Sequence, residues 1–155
     1  MRQAAFILLV CLVISACSRL DVFERSVAIP KQTWYYNNKP SFSFNITDTS
    51  AVYNIFIVLR HTDAYQYNNI WLSLGSRAPG DSTRYQNIDL TLGTDVNGWE
   101  GHGMDDIFEV RKNITRGPVP FKRPGNYTFT ISQVMRENPL KHVMNVGVRV
   151  EKVKL

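Results

Sequence analysis

Cysteine is scarce in this chain: Cys11 and Cys17 are the only two, and histidine is limited to His61, His102 and His142. Long apolar runs are also missing. The uncharged stretch at the N-terminus, Ala4 to Ala16, counts 13 residues, short of the roughly 20 that a bilayer-spanning helix needs. No window of 11 to 18 residues sustains a 3.6-residue period, which excludes a helical bundle, and no internal repeat suggests a solenoid or propeller. Charge of one sign is not concentrated either. Lys and Arg number 18 against 13 acidic residues, and they are scattered, with the densest cases at Arg111-Lys112, Lys122-Arg123 and Lys152-Lys154. A nucleic-acid groove is therefore a poor reading, and a solvated surface with some attraction to anionic headgroups a better one.

What the N-terminus does contain is an ordered set of parts. Arg2 supplies a positive end, Ala4 to Ala16 an uncharged core, and Ile14-Ser15-Ala16 small residues just before Cys17. This is the order of a signal peptide. It resembles the bacterial lipobox, in which the cysteine thiol takes a diacylglycerol, the preceding peptide is removed and the new amine is acylated. Residues 1–16 are thus expected to be cleaved and Cys17 to become the lipidated N-terminus. Cys11 leaves with the signal, so the mature chain has no cysteine for disulfides or thiol-bound metal. The remaining 139 residues carry a formal charge of +4, an ordinary length for one domain with an unstapled core.

Residues 17–39 read as anchor, tether and N-terminal segment, and residues 40–155 as the folded domain. Phe42, Phe44 and Ile46 alternate with Ser41, Ser43, Asn45 and Thr47, the period of a half-buried strand. Asp48-Thr49-Ser50 is a turn. Val52 to Arg60 follows with Tyr53, Ile55, Ile57 and Leu59 on one face and Val52, Phe56 and Val58 on the other, which predicts a central strand. Ile70, Leu72 and Leu74, then Ile88, Leu90 and Leu92, predict two strands joined through the turn at Ala78 to Ser82. Tyr127, Phe129 and Ile131, and later Val146, Val148 and Val150, complete the set. Asp105 to Lys112 and Gln133 to Asn138 are the only candidates for short helices. An all-β, two-sheet antiparallel sandwich of about 7–8 strands is expected; the strand order is not derivable.

Chemistry-bearing constellations are weak. His61 and Asp63 share a spacing that puts both on one strand face, and read as two solvated groups at a strand end. His102, between Gly101 and Gly103 and near Asp105, Asp106 and Glu109, reads as a polar loop, and Asp95 to Glu100 as a turn lacking the ligand spacing of a calcium loop. No catalytic residue, metal site or cofactor is expected. The aromatics say more. If Ile70 and Leu72 face the core, Trp71 faces outward, with Tyr65 and Tyr67 just before it, and exposed Trp beside Tyr is a typical anchor for protein or sugar. The alternative is that Trp71 is covered by the segment around Trp34-Tyr35-Tyr36; both readings stand at this point.

Several pieces in order resemble the gliding-motility lipoprotein family GldH of Bacteroidetes. They are the lipobox at Cys17, Trp34 to Phe44 with Lys39-Pro40, Tyr53 to Arg60 followed by Asp63, Tyr65, Tyr67 and Asn69, then Gly98-Trp99 and Gly101-His102-Gly103. Pro124 to Phe129, Gln133 to Arg136 and Val146 to Lys152 follow. The resemblance implies a role in gliding and the associated secretion machinery; with the lipid anchor and the aromatic-bearing sheet face, the expectation is a non-enzymatic, membrane-held envelope component that docks other envelope proteins. It supplies no catalytic residues. A lipid-anchored carbohydrate-binding module is the alternative. Ser18 after Cys17 points to the outer membrane, and Arg19-Leu20 ahead of a lone Asp21 lacks the acidic cluster of surface export, so the periplasmic face is expected.

Overall fold

The computed structural model describes residues 22–153. Eight strands of six residues or more carry the fold. They are β1 (Val22–Ala28), β2 (Ser41–Ile46), β3 (Val52–Thr62), β4 (Asn69–Arg77), β5 (Arg84–Thr91), β6 (Ile107–Asn113), β7 (Gly125–Gln133) and β8 (Val143–Lys152). One sheet runs β1-β8-β3-β6 and the other β2-β7-β4-β5. With every pairing antiparallel and successive strands changing sheet except at the β4–β5 hairpin, this is the jelly-roll order. Short pieces extend it. His102–Met104 adds to the β6 edge and Val119–Pro120 pairs with β3, while Thr33–Trp34 pairs with Leu140–Lys141 and Gly93–Thr94 with Gly98–Trp99.

The expected sandwich is present, and the period-two rows are its inner faces. Phe42, Phe44 and Ile46 of β2 are buried while Ser41, Ser43 and Asn45 are exposed. Tyr127, Phe129 and Ile131 of β7, and Val146, Val148 and Val150 of β8, are buried as well. Phe44 sits at the aromatic centre, with ring centroids 5.3 Å from Phe23, 5.2 Å from Phe129 and 5.8 Å from Phe121. These edge-on and tilted pairs add to burial of apolar area.

β3 is central, between β8 and β6. Its outward Val58 is only 4% exposed and lies in register between Arg111 and Gly147. A charged lattice stands around it: Arg111 pairs with Glu109 at 3.0 Å and with Glu24 at 3.4 Å, and Arg149 pairs with Glu24 and Glu151. Apolar stems of arginine cover such a surface while the guanidinium stays hydrated.

Two expectations are corrected. The strand-bearing domain starts at Val22, not at Pro40, because Val22 to Ala28 pairs residue for residue with Glu151 to Asn145 of β8 and sends Phe23 into the core. A mixed-charge segment on a sheet edge shows one apolar row, here Phe23 and Val27, too short to register as alternation. No α-helix occurs among the described residues, and Asp105 to Lys112 is mostly β6, whose Phe108 and Val110 alternate with Glu109 and Arg111. Gln133 ends β7 and is followed by a turn.

All loops gather at two ends. The start of β1, the end of β8 and the loops at 47–51, 78–83 and 114–124 form the near end, the one next to the N-terminus. The loops at 29–40, 63–68, 92–106 and 134–142 form the far end.

Candidate functional site

The far end holds most of the exposed aromatic surface. Trp71 projects from the outer face of β4 and is 43% exposed, between inward Ile70 and Leu72, both fully buried. Its neighbours come from other loops. The Trp71 backbone N–H donates to Met135 Sδ at 3.1 Å, and its carbonyl accepts from the Val134 N–H at 2.9 Å. The Tyr36 hydroxyl donates to the Met135 carbonyl at 2.6 Å. Tyr36, Val134 and Trp71 are each about 40% exposed and meet at half-buried Met135, which gathers them into one apolar patch. Trp34 fixes its base: fully buried, it donates Nε1–H to the Asn38 carbonyl at 2.8 Å. Buried Gln133 ties the two loops by donating to the carbonyls of Trp34 and Glu137 and accepting from the Met135 N–H.

The expected trio of Trp71, Tyr65 and Tyr67 is not the patch. Tyr65 is 3% exposed and donates its hydroxyl to the Asn69 carbonyl at 3.0 Å; burial pushes its phenol well above the usual range. Tyr67 is half-buried, 5.8 Å ring to ring from Tyr65, and lines a cleft of about 290 Å³ with Gln66, Glu137 and Lys141. The Glu137 carboxylate raises its phenol too. A loop residue has no period to reveal its burial, which is why Tyr65 looked exposed. The segment at Trp34 to Tyr36 flanks Trp71 without covering it. Cys17 lies outside the described residues.

His61 also departs from expectation. It is fully buried, whereas Asp63 is exposed and takes no part in a pair with it. The imidazole packs against Trp99 at 4.6 Å, Tyr65 at 5.5 Å and Phe108 at 5.8 Å. Nδ1 meets the Thr62 carbonyl at 2.8 Å and Nε2 has no hydrogen-bond partner. With rings for neighbours and no carboxylate, the ring is a core element rather than a base. The signal was available: His61 continues the inward row Tyr53, Ile55, Ile57, Leu59.

Burial lowers the His61 pKa below 6.5. A depressed folded-state value means that the native state resists protonation, so stability is full above about 6.5 and declines as pH falls below it. We expect thermal stability to drop between pH 6.5 and 5, and His61→Phe to flatten that segment. Asp48, held low chiefly by its hydrogen bond from Lys152, acts in the same sense but only below about 3.8. Equal pH slopes for the two proteins in the upper window would contradict this assignment.

His102 is exposed on the edge piece 102–104, and no cluster of three or more His, Cys, Asp or Glu suited to a metal occurs among the described residues. Gly101, at φ +92°, serves close backbone approach: a Cβ there would sit 2.1 Å from the Glu109 carbonyl oxygen. Asp95 to Asn97 is the turn of a small hairpin, held by Asn68 donating to Asp95.

Comparison with known proteins decides the family. The model of the GldH lipoprotein family matches residues 21–150. The chain belongs to the GldH lipoprotein family. The gliding motility lipoprotein GldH of Flavobacterium johnsoniae is 25% identical over 157 residues, covering 97% of this chain and 96% of the relative. A GldH homolog from Christiangramia forsetii is 28% identical over 146 residues, covering 89% and 88%. Among solved structures, one of the infectious bursal disease virus Gx strain aligns with a TM-score of 0.43 at 12% identity, over 88% of this chain and 33% of that one. That likeness carries no argument.

Proposed function

We propose that the protein is a non-enzymatic, lipid-anchored docking module that serves gliding or its associated secretion machinery, held at the periplasmic face of the outer membrane through Cys17. The observation that carries the docking role is the gathering of Trp71, Tyr36, Val134 and Met135 into one compact exposed patch. Aromatic anchors ringed by apolar and polar surface are what protein hot spots consist of. The relatives named for gliding motility supply the process.

Trp71→Ala is expected to weaken partner binding at least thirtyfold, since a hot-spot aromatic contributes about 2 kcal/mol or more. Its effect on folding should stay below about 2 kcal/mol, against roughly 3–5 for a buried Trp→Ala such as Trp34. A photo-crosslinker at position 36 identifies the partner in intact cells, and isothermal titration with that partner measures the loss. Unchanged affinity would remove Trp71 from the interface.

One observation favours the carbohydrate reading. Tyr85, 69% exposed, stands on the same sheet face as Trp71. It pairs with Gly75, four residues along β4, roughly 14 Å from Trp71, and Ser73, Asn87 and Thr130 share that face. Loss of polysaccharide retention in Tyr85→Ala, with partner binding intact, would put that reading first.

A further inference from the structure

The far-end patch explains where a partner docks, but not how the domain stands on the membrane. We propose that the near end is a membrane-docking surface for anionic phospholipid headgroups, so that the jelly roll stands upright with the far-end patch facing away from the bilayer. This inference rests on lipidation at Cys17.

The first argument is reach. Five residue steps separate Cys17 from Val22, where β1 begins, and a chain of that length spans at most about 18 Å. β1 starts at the near end, beside Glu151 and Lys152 at the end of β8 and Tyr53 near the start of β3. The near end is thus held against the headgroups. The ten residues of β8 run roughly 33 Å to the far end. A short tether alone would still let the domain tip onto a sheet face.

Charge separates the two ends. The near end carries Arg77, Arg84, Arg116, Lys122, Arg123 and Lys152 against Asp48, Asp81 and Glu151, a formal +3. The far end carries Lys31, Lys39, Arg136 and Lys141 against Asp63, Asp95, Glu100, Asp105, Asp106 and Glu137, a formal −2. Arg77, Arg84, Arg116, Lys122 and Arg123 are all exposed and, among the described residues, none forms an ion pair. On the β1-β8-β3-β6 face, by contrast, Arg60, Arg111 and Arg149 are all paired with carboxylates. The near end also holds an open groove lined by Arg84, Phe121, Lys122 and Arg123, with Asp81 at its edge. Phosphate oxygens fit unpaired guanidinium and ammonium groups, and the Debye length of about 8 Å is shorter than the domain, so only the end in contact feels the surface.

The far end, net negative, is repelled by the same headgroups. Tether length and charge therefore act in one direction.

The test uses the full lipidated protein, whose mature chain has no cysteine besides the acylated Cys17, so one new thiol takes a fluorophore cleanly. Ser82→Cys reports the near end and Asn97→Cys the far end; both positions are exposed. Each is reconstituted into phosphatidylcholine vesicles with 30% phosphatidylglycerol and with a headgroup nitroxide lipid as quencher. We expect at least fivefold stronger quenching at position 82 than at 97, with the contrast lost in Arg77→Glu/Lys122→Glu/Arg123→Glu and reduced in 0.5 M salt. Equal quenching at both positions, or a contrast that survives charge reversal, overturns the proposal. Vesicle flotation of the same samples reports lipid attachment separately: protein that fails to float disproves the anchor itself.

Discussion

Ile57→Asp and Val148→Asp are each expected to leave the chain unfolded, while Thr128→Asp folds. Ile57 is 1% exposed and Val148 fully buried, and the two lie opposite each other in register on adjacent central strands of one sheet. An aspartate at either site would sit among apolar side chains with no cation in reach. Its carboxyl would have to be buried without a partner or protonated, costing several kcal/mol. A domain of this size has a total stability of about 5–15 kcal/mol, so most or all of it is lost. Thr128 is on the other side of its sheet, half-buried, sharing only a hydroxyl contact of 3.1 Å with Ser43 and lying in register with Arg77. A carboxylate there stays hydrated and meets a cation. Circular dichroism and urea melts check all three, and a Thr128→Asp protein as unstable as the other two would contradict the face assignment.

Cys17→Ala is expected to convert an envelope-bound protein into a fully released one. Lipid chains contribute about 0.8 kcal/mol per buried CH₂, so several acyl chains make attachment effectively permanent, while the charged near end alone is screened by salt. The fold is independent of that thiol: described secondary structure begins five residues later, and none of its contacts involves cysteine. Fractionation with a high-salt wash provides the measurement. Sedimentation of the variant with membranes after that wash would mean that something other than lipid holds the protein.

Strands with one face in water were legible because alternation survives there: Phe42 to Ile46 and Tyr127 to Ile131 place every apolar residue on the inside. Val52 to Arg60, apolar on both faces, correctly reads as central. The edge strand β1 was not legible, since Glu24, Arg25 and Ser26 face solvent and leave little pattern. The candidate site was half legible. Trp71 follows from the register of its neighbours, but Tyr36 meets Met135 across 99 residues of chain, a pairing made only by the jelly-roll crossing of loops. The same holds for the basic near end, whose Arg77, Arg84, Arg116, Lys122 and Arg123 come from two separate connections. Local periodicity carries no information about which loops share an end.

β1 has a mechanical consequence. It begins at the near end, and its backbone pairing to the sheet is made through seven consecutive register pairs with β8. Gly147 keeps that seam tight, since a Cβ there would lie 2.7 Å from the Arg25 carbonyl oxygen. Under the proposed docking and lipid anchorage, a pull on the Trp71 patch from the far end would act against acyl chains at the near end, along a line parallel to the strands. The β1–β8 seam is then loaded in shear, its hydrogen bonds sharing tension together instead of opening one after another as in a peel. A module loaded this way would transmit a pull along its strand axis to the bilayer without unravelling from its anchored end.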